Sequence, residues 1–170
     1  MANSISEDDF VFLRRAVQLA LEAEKGGNLP IGAVVTLNGS VIAEGGNAVL
    51  IPSYHPGRHA EMEALKRVPD GLWPRSREMT CYTTLEPCVM CTGAILLHGI
   101  GRVVFGAIDT DGGGRALLSH LPDYYARGGG APEWLGPALP EECDALYERA
   151  RQTFDHLPCG NGYYSLRREK

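Results

Sequence analysis

The chain has 170 residues, 44% of them hydrophobic and 22% charged, with a formal net charge of -5. That length suits one globular domain over residues 1–170 whose core needs no disulfide help, and no apolar run, such as Ala94–Leu97, nears a bilayer span, which excludes a membrane protein. The excess of acid sets a bias against a large polyanion, because binding one rests on clustered Lys and Arg, and favours a small-molecule partner.

Met1–Asp9 is acidic and shows no basic apolar leader, so the expected location is cytoplasmic. Ser6 reads as an N-cap ahead of Phe10, Leu13, Val17, Ala20 and Leu21, which recur at helical spacing until Gly26-Gly27, and a helix is predicted over roughly 7–25. The β-branched stretches Ile31–Leu37 and Val41–Asn47 flank Asn38-Gly39-Ser40, whose Asn-Gly pair predicts a hairpin. Two prolines and a glycine make 51–58 a loop, and a second helix opens near His59 and ends before Pro69. Met79–Thr84 reads as a third strand, Cys88–His98 as an apolar helix stopped by Gly99, and Arg102–Ala107 as a fourth strand. A helix between two strands predicts a parallel crossover, and so a mixed sheet. Farther on, 109–115 is a glycine-rich loop, Ala116–Leu121 a helical turn and Gly128–Gly130 a break. A fifth strand is expected near Glu133–Pro137 and a last helix over Glu141–Phe154.

Five cysteines, two of them in a C-x-x-C pair, favour metal or redox chemistry in a reducing compartment over a disulfide framework. Cys88 and Cys91 share a helical face and can converge on one ion, and His59 supplies an imidazole. Three protein ligands leave one tetrahedral vertex open, which suits a catalytic zinc whose bound water ionises near neutral pH. Both groups stand at predicted helix starts, where the partial positive charge favours thiolates. Glu61, two residues past His59, is off the ligand face and suits a general acid and base. A structural zinc site wants a fourth Cys or His at similar spacing, and Cys81, Cys143, Cys159, His55, His98, His120 and His156 form no second tight pair. A thioredoxin-like use of Cys88 and Cys91 leaves His59-Ala60-Glu61 unexplained. Cys81 and Cys143 read as buried thiols and His55 as a solvated loop residue.

The H-x-E at His59–Glu61 and the P-C-x-x-C at Pro87–Cys91 resemble the signature of the cytidine-type zinc deaminases. The likeness covers about Phe10–Ala107. Leu29-Pro30-Ile31-Gly32-Ala33 is similar to the family's entry to strand one, and Asn47 stands where the family has a base-contacting asparagine. Tyr82–Pro87 and Cys91–Ile95 look like the branch of tRNA adenosine deaminases, fungal-type cytosine deaminases and bacterial guanine deaminases. The resemblance implies an α/β fold, a three-layer α-β-α sandwich with a five-stranded mixed sheet, and hydrolytic deamination. In that reaction a zinc-activated water adds to the carbon bearing the exocyclic amine, Glu61 carries protons and Asn47 orients the ring. It also implies a homodimer.

For substrate, the approach Ile51–Arg58 departs from the short Asp-Pro approach of the tRNA enzymes. Leu121–Leu139, with Tyr124, Tyr125 and Trp134, is expected to cover the pocket or to form a subunit contact. Ile100–Ala107, in contrast, looks like the tRNA deaminase strand. Net charge and the tail aromatics Tyr163-Tyr164 favour a free nucleobase or nucleoside, cytosine- or guanine-like. A tRNA adenosine deaminase (A to I at the wobble position) is the alternative, and a non-catalytic zinc scaffold is a third reading. Phe154, Asp155 and His156 fit a pocket wall or simple helix packing equally well.

Overall fold

The computed structural model describes residues 4–155, so His156, Cys159, Tyr163, Tyr164 and the basic tail lie outside the described residues. In chain order the main elements are α1 (Glu7–Lys25), β1 (Gly32–Leu37), β2 (Ser40–Gly46), α2 (Ala60–Leu65), β3 (Met79–Leu85), α3 (Val89–His98), β4 (Arg102–Ala107), α4 (Asp123–Arg127), β5 (Glu133–Leu135) and α5 (Pro140–Asp155). Two 3-10 segments, Asp70–Glu78 and Gly114–Ser119, connect them.

The sheet runs β2-β1-β3-β4-β5. β1 is antiparallel to β2 and β3, whereas β3, β4 and β5 are parallel. Because strand side chains alternate between faces, the two faces build separate cores. Ala33, Val35, Cys81, Val103 and Phe105 pack with Ala60, Ala64 and Leu65 of α2 and Ile95 of α3. Val34, Tyr82 and Val104 pack with Leu13, Ala16 and Leu19 of α1 and Cys143 of α5. This is the expected three-layer sandwich, and β1, covered on both faces, is buried along its whole length.

Local chemistry explains the boundaries. The β1–β2 hairpin turns through Asn38 (φ 52°) and Gly39 (φ 71°), the paired left-handed conformations that an Asn-Gly turn provides. α3 stops at Gly99, also left-handed at φ 75°. Asp9, buried in the first turn of α1, accepts hydrogen bonds from the Ser6 N–H (2.7 Å), the Tyr82 hydroxyl (2.7 Å) and the Arg102 guanidinium (2.7 and 2.9 Å). Burial alone pushes its pKa up, but these donors hold the carboxyl well below the usual range. Sequence position 9 therefore fastens α1 to both β3 and β4.

Three expectations need correction or sharpening. α2 ends at Leu65, before Pro69 as expected but four residues short of it, because Arg67 and Val68 turn back onto the carbonyls of Ala64 and Leu65 with i→i+3 bonds that tighten the last turn. The 3-10 segment Asp70–Glu78 and α4 are absent from the sequence reading; the first carries Pro74 and no 3.6-residue apolar period to reveal it. β5 stops at Leu135, since Gly136 adopts φ 153° and sits directly against Phe105. No helix among the described residues is long and apolar enough to cross a membrane.

α2 lies directly on β2 at Gly45, where an added Cβ would stand 2.4 Å from both the Ala60 carbonyl oxygen and the Ala64 nitrogen. Gly45→Ala is therefore expected to force the helix off the strand at a cost of about 1–3 kcal/mol, lowering Tm by roughly 3–10 °C. Gly71→Ala, which meets nothing within 4 Å, leaves Tm unchanged. Differential scanning fluorimetry of the two variants checks both.

Candidate active site

The two motifs meet because the sheet brings two helix starts together. His59 is the N-cap residue of α2 and Cys88 that of α3, each in extended conformation, and Cys91 follows in the first turn of α3. His59 Nδ1 lies 3.5 Å from Cys88 Sγ and 3.6 Å from Cys91 Sγ. These are the His/Cys side chains among the described residues whose ligand atoms all gather within 4.8 Å. A tetrahedral zinc with bonds of about 2.3 Å to sulfur and about 2.0 Å to nitrogen separates its N and S ligands by about 3.5 Å, so the donor set fits the ion as it stands. Cys91 is buried and the other two are partly exposed, so the site opens toward solvent on one side.

Charge is distributed unevenly over the three ligands. The hydrogen bond from Cys91 holds the Cys88 thiol down to about 4 against the opposing effect of burial, with His59 adding to it, while the same bond pushes the Cys91 thiol up. Burial disfavours a protonated His59, but Cys88 and Glu61 outweigh it and raise the imidazole pKa. The cysteine pair thus favours a negative charge beside the imidazole, and a divalent cation bound there would displace protons from the ligands.

Glu61 is 3% exposed. Its Oε1 accepts the Thr83 hydroxyl at 3.1 Å, and its Oε2 lies 3.4 Å from Cys91 Sγ. Burial pushes its pKa up from the ordinary carboxylate range, with His59 opposing. It stands beside Cys91, outside the His59, Cys88 and Cys91 cluster.

The pocket over this group has a volume near 380 Å³ and is lined on one side by Leu29, Ile31 and Asn47. Asn47 is 2% exposed. Its Oδ1 accepts the Val49 N–H at 3.1 Å, while Nδ2 has no hydrogen-bond partner among the described residues. A buried amide donor without a partner is rare in a folded chain, and this one faces the pocket.

α5 also lines the pocket, and of its lining residues the sequence reading raised Phe154 and Asp155 but missed Tyr147 and Arg151. Tyr147, Arg151, Phe154 and Asp155 line the pocket, with the Tyr147 hydroxyl donating to Asp109 at 2.7 Å and Arg151 3.7 Å from Asp111. Tyr147, Arg151 and Phe154 recur at i, i+4, i+7, a stripe that was readable as a helix face but not as a pocket face. Of the residues left open between wall and packing, Phe154 and Asp155 are wall. Leu121–Leu139, in contrast, supplies no pocket-lining residue. Its Trp134 donates instead to the buried Glu86 (3.3 Å), which also pairs with Arg115 (3.3 Å), so this segment buttresses the site from behind. His55 is exposed and accepts the Gly57 N–H, and Cys81 and Cys143 are buried thiols whose pKa values burial pushes up.

Residues 6–107 match the sequence model of the cytidine and deoxycytidylate deaminase zinc-binding region. The chain belongs to this deaminase family. The deaminase is 38% identical over 142 residues to a tRNA-specific adenosine deaminase of Bacillus subtilis, covering 81% of this chain and 85% of that protein. It is 36% identical over 110 residues to a probable cytosine deaminase of Schizosaccharomyces pombe, 62% of this chain and 64% of the other. A solved structure from work on A-to-I editing by tRNA:A34 deaminases superposes with a TM-score of 0.62 at 31% identity, covering 74% of this chain and 96% of that one. The family reaction is the hydrolysis of an exocyclic C–N bond on a nucleobase or nucleoside, and a zinc held by His59, Cys88 and Cys91 would supply a Lewis acid that makes water nucleophilic at neutral pH.

The purified deaminase is expected to carry one zinc per chain by elemental analysis. His59→Ala and Cys88→Ser lose the metal, whereas Cys143→Ser, remote from the ligand cluster, keeps it.

Proposed function

We propose that this deaminase acts on adenosine in a tRNA anticodon, exchanging the exocyclic amine for a carbonyl oxygen with release of ammonia. The observation that carries the reading is the likeness to the Bacillus subtilis tRNA-specific enzyme over four fifths of both chains. This likeness reverses the order that net charge and loop composition favour.

Glu61 takes a proton from the attacking water and delivers protons to the ring nitrogen and the departing amine; the overall change is R–NH₂ + H₂O → R=O + NH₃, with the ring nitrogen protonated. Its buried position beside the ligands and its raised pKa support that role. Asn47 Nδ2 donates to a ring acceptor and so aligns the amine-bearing carbon with the metal site. Val89, Met90 and Leu97 leave α3 with exposed apolar side chains, which supports the homodimer that the family resemblance implies.

A second reading rests on the rim. Among the described residues Asp109, Asp111 and Asp155 line the pocket beside one arginine, Arg151, while the buried Glu86 is paired with Arg115. An acidic mouth repels phosphates and favours an uncharged free base or nucleoside.

Ammonia release by the zinc-loaded chain separates the two readings, with an anticodon stem-loop on one side and free cytosine, guanine, adenine and their nucleosides on the other. Turnover of the stem-loop alone is the expected result, falling steeply as salt rises. Turnover of a free compound alone establishes the second reading, and silence across the panel contradicts both. With whichever substrate reacts, Glu61→Gln is expected to lower kcat about 10²- to 10⁴-fold with zinc retained.

A further inference from the structure

The segment 48–58 joins the pocket asparagine to the first metal ligand without regular structure, and α2, which carries His59 and Glu61 at its start, is six residues long. A helix that short does not hold itself in place, because nucleation is unfavourable and few backbone bonds follow it. Something outside the helix must therefore set the direction of the ligand. Packing on Gly45 fixes the position of α2 along β2, but it does not fix the chain that enters the helix.

That entry is closed by Arg58 and Glu63. The Arg58 guanidinium grips the Glu63 carboxylate with both prongs, Nε to Oε1 at 2.9 Å and Nη2 to Oε2 at 3.3 Å. Glu63 in turn donates its backbone N–H to the His59 carbonyl at 2.9 Å. The side-chain bridge from 58 to 63 and the backbone bond from 63 to 59 enclose the ligand residue on both sides. The Arg58 carbonyl accepts the Ala48 N–H at 3.0 Å, so the same residue staples the chain leaving Asn47 to the chain entering His59. Arg58 thus stands between the open amide donor in the pocket and the metal ligand, and is bonded toward each.

Glu63 is only 5% exposed, and a buried carboxylate needs a compensating cation. Arg67 already provides one: its Nη2 lies 3.1 Å from Oε2, and its Nη1 donates to the Glu63 and Glu44 carbonyls at 2.7 and 3.3 Å. Arg58 contributes most to holding the Glu63 carboxyl below its usual range, with Arg67 adding to it, and of the two arginines Arg58 meets both carboxylate oxygens, which gives it a geometric duty beyond charge. Only a planar fork fixes the torsion of the residue before His59, which a lysine cannot do.

We infer that Arg58, clasped to Glu63, is a positioning residue that sets the orientation of His59 for zinc and its register with Asn47. This inference rests on the His59–Cys88–Cys91 metal site and is independent of the substrate.

The test uses the full chain with Arg58→Met, Arg58→Lys and Arg67→Met. Three readouts are taken: zinc affinity by competition with a chromophoric chelator, the visible absorption of the Co(II)-substituted protein, and Tm. Arg58→Met is expected to weaken zinc binding about tenfold or more and to shift the Co(II) bands, in line with the effect of groups that orient metal ligands. Arg67→Met, which removes charge without opening the clasp, keeps parental zinc affinity and Co(II) bands even where its Tm falls as far. Arg58→Lys keeps the charge without the fork and is expected to weaken zinc at near-parental Tm, so it decides the matter if Arg58→Met fails to fold. Equal zinc affinity in the Arg58 variants and the parent, or equal losses in the Arg58 and Arg67 variants, overturns the inference.

Discussion

Three donor atoms from two helices, far apart in sequence, stand 3.5 and 3.6 Å from one another at His59, Cys88 and Cys91, and the rest of the molecule can be understood from what it takes to keep them there. Both ends of α3 are anchored, because the helix is the crossover between the parallel strands β3 and β4. Cys88 caps its start, the glycine loop 112–114 packs onto that cap, and the Gly114 N–H donates to the Pro87 carbonyl at 2.8 Å. α2 has no such anchoring by topology. It hangs between an irregular loop and a tight turn, and depends on the close approach at Gly45 and on the ion pairs of Glu63.

The same convergence concentrates polar groups where the fold is driest. Glu61, Asn47 and Thr83 are all buried at the meeting point of the two helices and the sheet. Thr83 satisfies one oxygen of Glu61, while Asn47 Nδ2 is left with no partner among the described residues. A buried amide donor without a partner costs free energy in the folded state, and under the proposed function the ring of the substrate would recover it. Stability conceded at Asn47 and at the crowded thiols is the counterpart of a site ready to bind an ion and a ring.

How much of this was legible follows from how local each signal is. Asn38-Gly39 announced its turn because both positions need left-handed backbone, and Gly99 its helix stop for the same reason. Arg102–Ala107 is a short apolar run rich in β-branched residues, enough to place β4 at both ends. The His59, Cys88 and Cys91 cluster was legible because Cys88 and Cys91 sit three apart on one helical face and, with His59-Ala60-Glu61, match a family signature. What escaped depends on tertiary contact. Arg58 and Glu63 are five apart, and only the extended residue between the arginine and the helix lets them face each other. The stripe Tyr147, Arg151, Phe154 declared a helix face without saying what it faces, and Trp134 gave no sign that it would support Glu86 from behind.

X-ray absorption at the zinc edge of the purified chain tests the central claim most directly. The account predicts two sulfur neighbours at about 2.3 Å and two lighter ones at about 2.0 Å, one a histidine nitrogen and the other an exchangeable oxygen displaced by an added anion. A closed shell of four protein ligands, with Glu61 among them or with a third sulfur, would contradict an open catalytic vertex and with it the roles assigned to the residues around it.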